Sequence, residues 1–385
     1  MIGIGIIGAG AIAQVHADAF LEFKNTCEVR AVCDLYADKA NELIEKKGLK
    51  NAKVFKELDE VLQADGIDAI SICLPPAAHA ETAVKALDAG KHVLVEKPMA
   101  PSLAECDAMI AAAEKNGKIL SPVAQNRFKT PNQRVKTMIQ EGAAGKILYT
   151  AVNSLWWRGP NYYDIWWRGT WEGECGGCVT SHAVHHIDLL LWMLGRPQRV
   201  TAIISNVGHD NSECEDLAIA ILEYPGMLAQ LTASIVNHDE LQELVFQAER
   251  GRLSVPWTTA ASQALPNGFP EENSDVRDSL QKRYESIPAL ALEGHPAQIG
   301  NFLAAIEGRE ALAIGGSDGR AAMELIMAIY KSSLTRQPVD LPIPKDDVFY
   351  SRESMTKAMP RFHQKTRSVE NFASTEITLG RDVGK

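Results

Sequence analysis

The first third of the chain alternates short, nearly continuous apolar runs with stretches in which apolar residues recur every three or four positions. The apolar runs are typical of parallel strands buried on both faces, and they fall at 3–8, 29–34, 69–74, 92–97 and 118–123. The stretches between them predict helices at 12–23, 38–47, 77–89 and 102–115. The last of these begins at Ser102 with Glu105 three residues later, which is typical of a capping box. Strand and helix in alternation predict a doubly wound α/β domain with right-handed crossovers.

After about residue 145 the pattern changes to alternation of apolar and polar residues. Period-two strands are predicted at 147–157, 199–208, 216–224, 228–236 and 241–249. Helical periodicity interrupts them at 180–194, 297–307 and 318–334. This alternation indicates a large, mostly antiparallel open sheet with one face in solvent or against a partner.

A chain of 385 residues is too long for one ordinary core. We expect a Rossmann-type domain over 1–122, a second α/β domain with the open sheet over 123–344, and a tail over 345–385. The tail is polar and weakly periodic, so it could be an arm over a neighbouring subunit or a partly disordered segment. The sequence does not choose between these.

Charge and hydropathy exclude several classes of partner. The net charge is −10, which argues against nucleic acid or an anionic membrane as the main partner. No apolar run approaches the ~20 residues needed to span a bilayer. The first apolar stretch has no basic segment before it and is broken by glycines, so we expect no signal peptide and a cytoplasmic location.

The seven cysteines are scattered, and several lie inside apolar runs. An odd number of buried thiols indicates a reducing compartment and no disulfide framework. Cys175 and Cys178 form one C-x-x-C motif, with His182 and His185 after it. Glycines between the cysteines favour a tight turn over a zinc or redox site, and we predict no metal. A site built from His182, His185 and His186 is disfavoured because His186 points away from His185.

The stretch "GIIGAGAIAQVH" (5–16) has the spacing of a dinucleotide cradle between a strand and a helix. Gly8 permits the sharp turn, Gly10 lets the backbone approach a pyrophosphate, and small Ala13 allows close packing. Asp34 ends the next strand, where an acid accepts hydrogen bonds from ribose hydroxyls and repels a 2′-phosphate. The alternative is an ordinary strand, turn and helix beside an unrelated aspartate. We predict NAD as cofactor, with contacts from Gly8, Gly10, Ala11, Ile12, Ala13 and Asp34.

Two further strands carry polar residues at their carboxyl ends, the edge at which open α/β sheets bind ligands. Leu74, Pro75 and His79 follow one strand, and Glu96-Lys97 follows the next. Lys97 comes directly after an apolar run, so it is suited to donate a hydrogen bond to a substrate oxygen. Taken alone, a lysine in this position is more often an ordinary lysine at a strand end.

These motifs resemble the glucose–fructose oxidoreductase, inositol dehydrogenase and rhizopine-catabolism family of NAD(P)-dependent oxidoreductases. The resemblance rests on the glycine motif, Asp34, Glu96-Lys97-Pro98, "AQNRF" (124–128) and "GGCVTSHAVHHIDLLLWMLG" (176–195), and it runs from residue 1 to about 343. It implies a Rossmann domain, an open-sheet domain that often forms the subunit interface, and sugar or cyclic polyol substrates. The contacts expected with the cofactor are then Leu74, Pro75, His79, Glu96, Lys97, Gln125, Trp167 and Arg168, and those with the substrate are Lys97, Asn126, Ser181, His182 and His185.

The resemblance also implies the catalytic pair. Lys97 matches the lysine that touches the reacting hydroxyl, and His185 matches the acid/base histidine, counted from Asp188. The family often has an aspartate where this chain has Ser181, one helical turn before His185. An inositol-specific activity is therefore in doubt, whereas a dehydrogenase activity is not.

The periodicity of the same helix agrees with these roles. Val184, Ile187, Leu191 and Leu194 form the predicted buried stripe. Ser181, His182 and His185 then lie around the other side of the first turn. A histidine there is suited to accept a hydroxyl proton, although it could also be a structural histidine.

Five of the seven tryptophans lie within "WWRGPNYYDIWWRGTW" (156–171). Aromatic faces pack against sugar rings, while Arg158 and Arg168 can bind hydroxyls or phosphates. About half of these aromatic residues are expected to be core or interface residues instead. By resemblance, Trp167 and Arg168 reach toward the cofactor. His295 is a further candidate substrate contact, or simply a residue at the start of a helix.

The sequence therefore predicts an NAD-dependent dehydrogenase that oxidises a secondary hydroxyl of a sugar, glycoside or cyclic polyol. Two alternatives stay open: a redox-neutral glycosidase that uses NAD transiently, and a non-enzymatic sugar or cofactor sensor. The presence of both Lys97 and His185 speaks against the sensor. Apolar residues on both faces of the period-two strands predict a homodimer or homotetramer.

Overall fold

A computed structural model describes residues 1–370. The first domain is a six-stranded parallel sheet of order β3-β2-β1-β4-β5-β6. Its strands are β1 (Ile2–Ile7), β2 (Cys27–Cys33), β3 (Lys53–Phe55), β4 (Ala69–Ile72), β5 (His92–Val95) and β6 (Leu120–Pro122). Its helices are α1 (Ala11–Leu21), α2 (Ala37–Lys47), α3 (Leu58–Gln63), α4 (His79–Asp88) and α5 (Leu103–Asn116). The predicted doubly wound α/β domain is confirmed.

The second domain is built on an eight-stranded sheet of order β13-β12-β11-β7-β10-β9-β8-β16. Its strands are β7 (Ile147–Trp157), β8 (Arg199–Ser205), β9 (Leu217–Tyr224), β10 (Met227–Ser234), β11 (Val236–Ala248), β12 (Arg252–Val255), β13 (Thr259–Ala260) and β16 (Val339–Asp340). Only β7 and β10 pair in parallel within this sheet. Strands β14 (Ser262–Ala264) and β15 (Pro270–Glu272) form a separate exposed hairpin. The predicted mostly antiparallel open sheet is confirmed.

The remaining helices of the described chain connect or cover the two sheets. They are α6 (Thr130–Gln140), α7 (Val184–Leu194), α8 (Ser274–Ser286), α9 (Gly294–Ile306), α10 (Gly316–Thr335) and α11 (Arg352–Ala358). Helix α10 packs on the inner face of the large sheet beside α7 and also contacts α5 and β6. Helix α9 packs against α1, where Phe302 and Leu303 join the core on one face of the first sheet. The chain therefore returns to the first domain after completing the second sheet.

The described part of the C-terminal segment, residues 345–370, lies across both domains. The guanidinium of Arg352 on α11 donates to the carbonyls of Ala77 (3.3 Å) and Glu172 (2.5 Å). Further along, Val369 exchanges backbone hydrogen bonds with the loop at Asp164 and Trp166. The rest of the predicted tail, 371–385, lies outside the described residues. Between residues 1 and 370, no helix has the length and apolar character needed to cross a membrane.

Candidate active site

The glycine loop leaves open backbone at the start of α1. Gly8 has a φ of 93°, and a Cβ there would lie 2.6 Å from the Cys73 carbonyl oxygen, so this position requires glycine. A Cβ at Gly10 would meet no atom within 4 Å. Gly10 is exposed at the N-cap of α1, no side chain caps the helix, and its first turn holds no acidic residue. A helix start with open backbone fits a pyrophosphate, and the buried Ala13 lets α1 pack closely on the sheet.

Asp34 stands beside this loop at the end of β2. Its carboxylate accepts hydrogen bonds from the backbone N–H of Ala9 (2.8 Å) and of Tyr36 (2.9 Å). These contacts orient both oxygens, and each oxygen keeps a lone pair for a further donor. The half-buried carboxylate can therefore accept hydrogen bonds from ribose hydroxyls.

The residues after β4 do not all face the same way. Leu74 and Pro75 are half-buried at the rim of the cleft, whereas His79 is fully buried. The two ring nitrogens of His79 lie 2.8 Å from the carbonyl oxygens of Leu74 and of Pro98. This geometry does not favour the prediction that the His79 side chain contacts the cofactor directly, because each of its ring nitrogens already has a carbonyl oxygen as its neighbour. His79 instead ties together the two strand-end loops.

Glu96 lies beneath the site in a buried cluster that the sequence did not reveal. Its carboxylate is 2.9 Å from His16 Nε2 and 3.9 Å from His295 Nε2, and His16 Nδ1 is 2.8 Å from Ser71 Oγ. Burial works against a charged His16, but contacts with Cys73 and Glu96 raise the pKa of His16 to about 10. Within the described part of the chain, His16, Glu96 and His295 are the one group with spacing suited to a metal. The Glu96–His16 ion pair already uses two of those ligand atoms.

Lys97, His185 and Asn126 all line one small cavity. The Lys97 ammonium donates to the carbonyl oxygen of Ser181 (3.1 Å). Burial lowers the pKa of Lys97. Burial and the Lys97 charge lower the pKa of His185 well below its ordinary value of 6.5. The imidazole is therefore neutral at neutral pH and can accept a proton.

A π-helical turn, Val179–Ala183, precedes α7 and carries the other predicted substrate contacts. The Ser181 hydroxyl donates to the Gly177 carbonyl (2.7 Å) and lies 2.9 Å from His182 Nδ1. Ser181 is thus a neighbour of His182, on the turn before His185. His182 is buried against the edges of Trp156 and Tyr162. Burial and the charges of Arg158 and Lys97 lower its pKa well below 6.5.

The predicted narrow buried stripe on α7 is wrong. Val184 and Ile187 are buried as expected, but Leu191 and Leu194 are only half-buried. The helix is covered around most of its circumference because it packs on β7 of the large sheet and against α6 and α10. The buried positions outside the predicted stripe are His186, Asp188, Leu189, Leu190 and Met193.

Asp188 anchors α7 to the 3₁₀ turn that carries Gln125 and Asn126. Its carboxylate receives two hydrogen bonds from Arg127 (2.8 and 2.7 Å), and Arg127 also contacts Asp318 (3.1 Å). Arg127 and Asp188 are both buried. This ion pair ties the turn to α7. Arg127 and Asp188 both belong to the motifs quoted from the sequence, but nothing in the sequence indicates that they pair with each other.

The aromatic segment divides between core and surface. Trp156 and Trp171 are buried, whereas Trp157 and Trp166 are exposed. Arg168 pairs with the buried Glu174 (3.0 Å) and lies over the rings of Tyr162 and Trp167, 4.2 and 4.3 Å from their centroids. The charge of Arg168 contributes to the lowered pKa of Lys97, so the two cations share one region.

His295 lies at the first turn of α9, close to Glu96 and His16. Burial and the His16 charge lower the pKa of His295 to about 4. The two cysteines of the C-x-x-C motif donate to different carbonyls, Cys175 to Glu172 and Cys178 to Ala233. All seven cysteines are buried and unpaired by disulfides.

Comparisons with known proteins bear on this arrangement. Residues 2–123 match the model described as "Oxidoreductase family, NAD-binding Rossmann fold", and residues 132–254 match "GFO/IDH/MocA C-terminal domain". The chain is 26% identical to D-glucoside 3-dehydrogenase of Escherichia coli over 88% of this chain and 97% of that protein. It is 23% identical to myo-inositol 2-dehydrogenase of Thermotoga maritima over 88% of this chain and 98% of that protein.

A solved structure adds the same likeness in three dimensions. The WlbA dehydrogenase from Bordetella pertussis, in complex with NADH and UDP-GlcNAcA, superposes with a TM-score of 0.76 at 26% identity. The match covers 89% of this chain and 98% of that one.

Proposed function

This chain belongs to the GFO/IDH/MocA family of NAD-dependent oxidoreductases, and we propose that it oxidises a secondary hydroxyl of a sugar, glycoside or cyclic polyol to a ketone. The observation that carries the proposal is the meeting of Lys97 and His185 on one cavity. Lys97 comes from the carboxyl end of a Rossmann strand, and His185 comes from the helix of the open-sheet domain. An ammonium and a neutral imidazole that line the same cavity suit proton removal from a bound hydroxyl.

The cofactor would bind along the carboxyl edge of the first sheet. The open backbone at Gly10 and the free N-terminus of α1 suit the pyrophosphate, and Asp34 suits the ribose hydroxyls. The Asp34 carboxylate would repel a 2′-phosphate, which favours NAD over NADP. When bound, NAD⁺ supplies the hydride acceptor.

Lys97 and His185 would act on the same oxygen of the substrate. The ammonium donates a hydrogen bond and stabilises the negative charge that develops as the hydroxyl loses its proton. The neutral His185 imidazole accepts that proton. A lowered pKa keeps His185 neutral at neutral pH, and the Ser181 carbonyl holds the ammonium in place.

The substrate contacts would come from the walls around this pair. Asn126 lines the same cavity as His185, and Ser181 with His182 continues from the π-helical turn. The guanidinium of Arg168, which lies over the rings of Tyr162 and Trp167, can donate hydrogen bonds to the hydroxyls of a sugar. The relatives named as glucoside and inositol dehydrogenases support a polyhydroxylated substrate.

The experiment is a screen of sugars, inositols and glycosides with NAD⁺, read at the NADH absorbance. NADH accumulation with one of them is the expected result. Release of aglycone without NADH would indicate the redox-neutral glycosidase instead. Binding of sugar with neither product would indicate the sensor.

On the substrate so found, His185→Ala should lower kcat by roughly 10²–10⁴ and leave NAD⁺ affinity unchanged, the usual loss for a general base. Lys97→Ala should cost a similar factor, with less than additive loss in the double variant. Because the His185 pKa is lowered, activity should fall with acid only well below pH 6.5. The exposed His363 supplies the control His363→Ala, which should be neutral. Near-full activity of His185→Ala would contradict the assignment and make His182 the candidate base.

A further inference from the structure

The turn before the catalytic helix closes over Glu215, a buried carboxylate that lies outside the cavity shared by Lys97 and His185. Glu215 is fully buried just before β9. Its carboxylate accepts from the backbone N–H of Gly177 (3.1 and 3.0 Å to its two oxygens) and of Val179 (3.0 Å). The Tyr330 hydroxyl on α10 donates a further hydrogen bond (3.0 Å). Among the ion pairs formed within residues 1–370, none involves this carboxylate.

Two of the three glycines of "GECGGC" (173–178), Gly176 and Gly177, are explained by this closure. A Cβ at Gly177 would lie 1.8 Å from the Glu215 carbonyl oxygen. Gly176 has a φ of 140°, and a Cβ there would lie 2.2 Å from both Thr180 Oγ1 and the Tyr330 hydroxyl. Both positions therefore require glycine, and the backbone of the turn can approach residues 215 and 330.

A short chain of contacts leads from this carboxylate to Lys97. The Gly177 carbonyl accepts hydrogen bonds from the Ser181 backbone N–H (3.0 Å) and hydroxyl (2.7 Å). The Ser181 carbonyl in turn accepts from the Lys97 ammonium (3.1 Å). A displacement of the turn at Gly177 would therefore move the group that anchors Lys97.

We propose that Glu215 is a positioning residue for the reaction: its carboxylate holds the turn 176–181 in the one shape in which the Ser181 carbonyl anchors the Lys97 ammonium. The inference rests on the proposed roles of Lys97 and His185. Leaving a buried carboxylate without a cation is costly. A carboxylate that receives two backbone N–H groups from the turn at the start of the catalytic helix offsets that cost by fixing the geometry of the site.

The test compares Glu215→Gln with the native enzyme on the substrate found above. The amide keeps the size of the side chain, but with its oxygen at the Oε1 position it replaces Oε2 by an NH2 donor. The Gly177 N–H, 3.0 Å from Oε2 in the native protein, then loses one of its two acceptors and faces a donor instead. We expect kcat at pH 8 to fall by roughly 10- to 100-fold, since small misplacements of catalytic groups have effects of this order. The affinity for NAD⁺ should change less than twofold, because Glu215 touches no residue of the glycine loop.

The pH dependence of that loss separates positioning from a merely structural role. Burial raises the pKa of Glu215 to about 7. The ratio of native to Glu215→Gln activity should therefore be largest at pH 8–9 and shrink below pH 7, where the native side chain is itself protonated. The other groups coupled to it electrostatically have pKa values raised well above the ordinary range by burial, so they stay neutral over this interval; they are Tyr163, Cys178, Cys214 and Tyr330. Two more carboxylates lie nearby, Glu174 with its partner Arg168 and Asp216 with its partner His209.

Hydrogen exchange gives a readout that needs no substrate. The amides of 176–181 should exchange faster in Glu215→Gln than in the native protein. The control is Glu324→Gln, another buried carboxylate that receives a backbone N–H but lies away from the turn. It should leave both kcat and this exchange unchanged.

The proposal is overturned if Glu215→Gln keeps kcat within twofold at pH 8 while Lys97→Ala and His185→Ala are inactive. Should His185→Ala stay active, the proposed function fails instead. If Glu215→Gln does not fold, Tyr330→Phe decides, because it removes one donor to the carboxylate and the contact with Thr180 (2.7 Å). A fall in kcat with unchanged NAD⁺ affinity then supports the proposal, and an unchanged kcat rejects it.

Discussion

Three histidines follow one another closely around the start of α7, and they differ in burial and in what they contact. His182 is buried beside the Ser181 hydroxyl, and the half-buried His185 lines the same cavity as Lys97. His186 is fully buried, and neither of its ring nitrogens has a hydrogen-bond partner in the described part of the chain. Its ring packs edge-on against Trp156. Burial lowers the pKa of His186 to about 3.

Replacing His186 by Phe should therefore stabilise the protein, and more so in acid. The native state keeps His186 neutral, whereas the unfolded chain binds a proton below pH 6.5, so the native protein loses stability as pH falls from 6.5 toward 3. Phe keeps the aromatic packing and binds no proton. Between pH 7.5 and 5.5 the stability advantage of His186→Phe should grow by about 1.4 kcal/mol. Urea unfolding at both pH values measures this; a difference independent of pH would refute it, and the exposed His363→Asn is the control.

The residues that could be predicted from the sequence are those whose role depends on a local motif. Gly8, Asp34 and Lys97 follow strands at fixed offsets, and the structure gives each the expected position at the strand end. Glu215 could not be predicted, because its partners lie about 38 residues earlier and 115 residues later in the chain. The contacts of the His79 ring could not be predicted for a similar reason: its second partner, Pro98, comes from another loop.

At the scale of elements, a buried ion pair anchors α7. Asp188 on α7 binds Arg127, which lies on the 3₁₀ turn Gln125–Phe128, and Asp318 at the start of α10 also binds Arg127. Asp188 is buried, whereas the Asp318 side chain is 33% exposed. Arg127 therefore depends mainly on Asp188 for compensation of its buried charge.

Asp188→Asn should cost roughly 3 kcal/mol of unfolding free energy, because it leaves a buried guanidinium with one partly exposed partner. Asp318→Asn is the matched control and should cost clearly less, since water screens the pair that it removes. Denaturant unfolding of the two variants gives the comparison. An equal loss for both, or a larger one for Asp318→Asn, would show that Asp188 is not the main anchor.

Periodicity predicted the type of most elements but not every boundary. The helix expected at 180–194 is α7 preceded by a π-helical turn, Val179–Ala183. Apolar spacing carries no sign of that turn, because Glu215 and the two glycines shape it from outside the helix. Ser102 caps α5 as expected and accepts from the Glu105 N–H (3.3 Å), but the Glu105 carboxylate binds the Ser102 hydroxyl (2.6 Å) rather than the backbone.

At the scale of the whole molecule, the two sheets are joined by segments far apart in sequence. Helix α9 covers a face of the first sheet, and α10 contacts both domains. Because α9 and α10 follow most of the large sheet in sequence but pack against the first domain, no single range of residues corresponds to each domain, and the boundaries at 122 and 344 stay predictions. The packing of α9 on the first domain brings His295 close to Glu96.

The outer face of the large sheet carries exposed apolar residues. Ile203 pairs with Ile219 across β8 and β9, and Ile221 and Leu228 extend the face toward β10; each of these side chains is at least 50% exposed. An exposed apolar face of this kind marks an interface. Helix α10 buries the inner face of the same strands. Apolar residues therefore occur at both the inward-facing and the outward-facing positions of these strands.

We therefore expect a homodimer or homotetramer assembled through this face, visible by sedimentation velocity at micromolar concentration. Replacing both Ile219 and Ile221 by Lys should shift the native assembly toward monomer, because burying two ammonium groups at an interface is strongly unfavourable. Both substitutions leave the backbone hydrogen bonds of β9 with β8 and β10 in place, so the fold should survive. Val348→Lys, at an exposed valine away from the sheet, is the control and should sediment as the native protein does. A native protein that sediments as a monomer would show that no such interface forms. A double variant that sediments like the native assembly would show that the interface lies elsewhere.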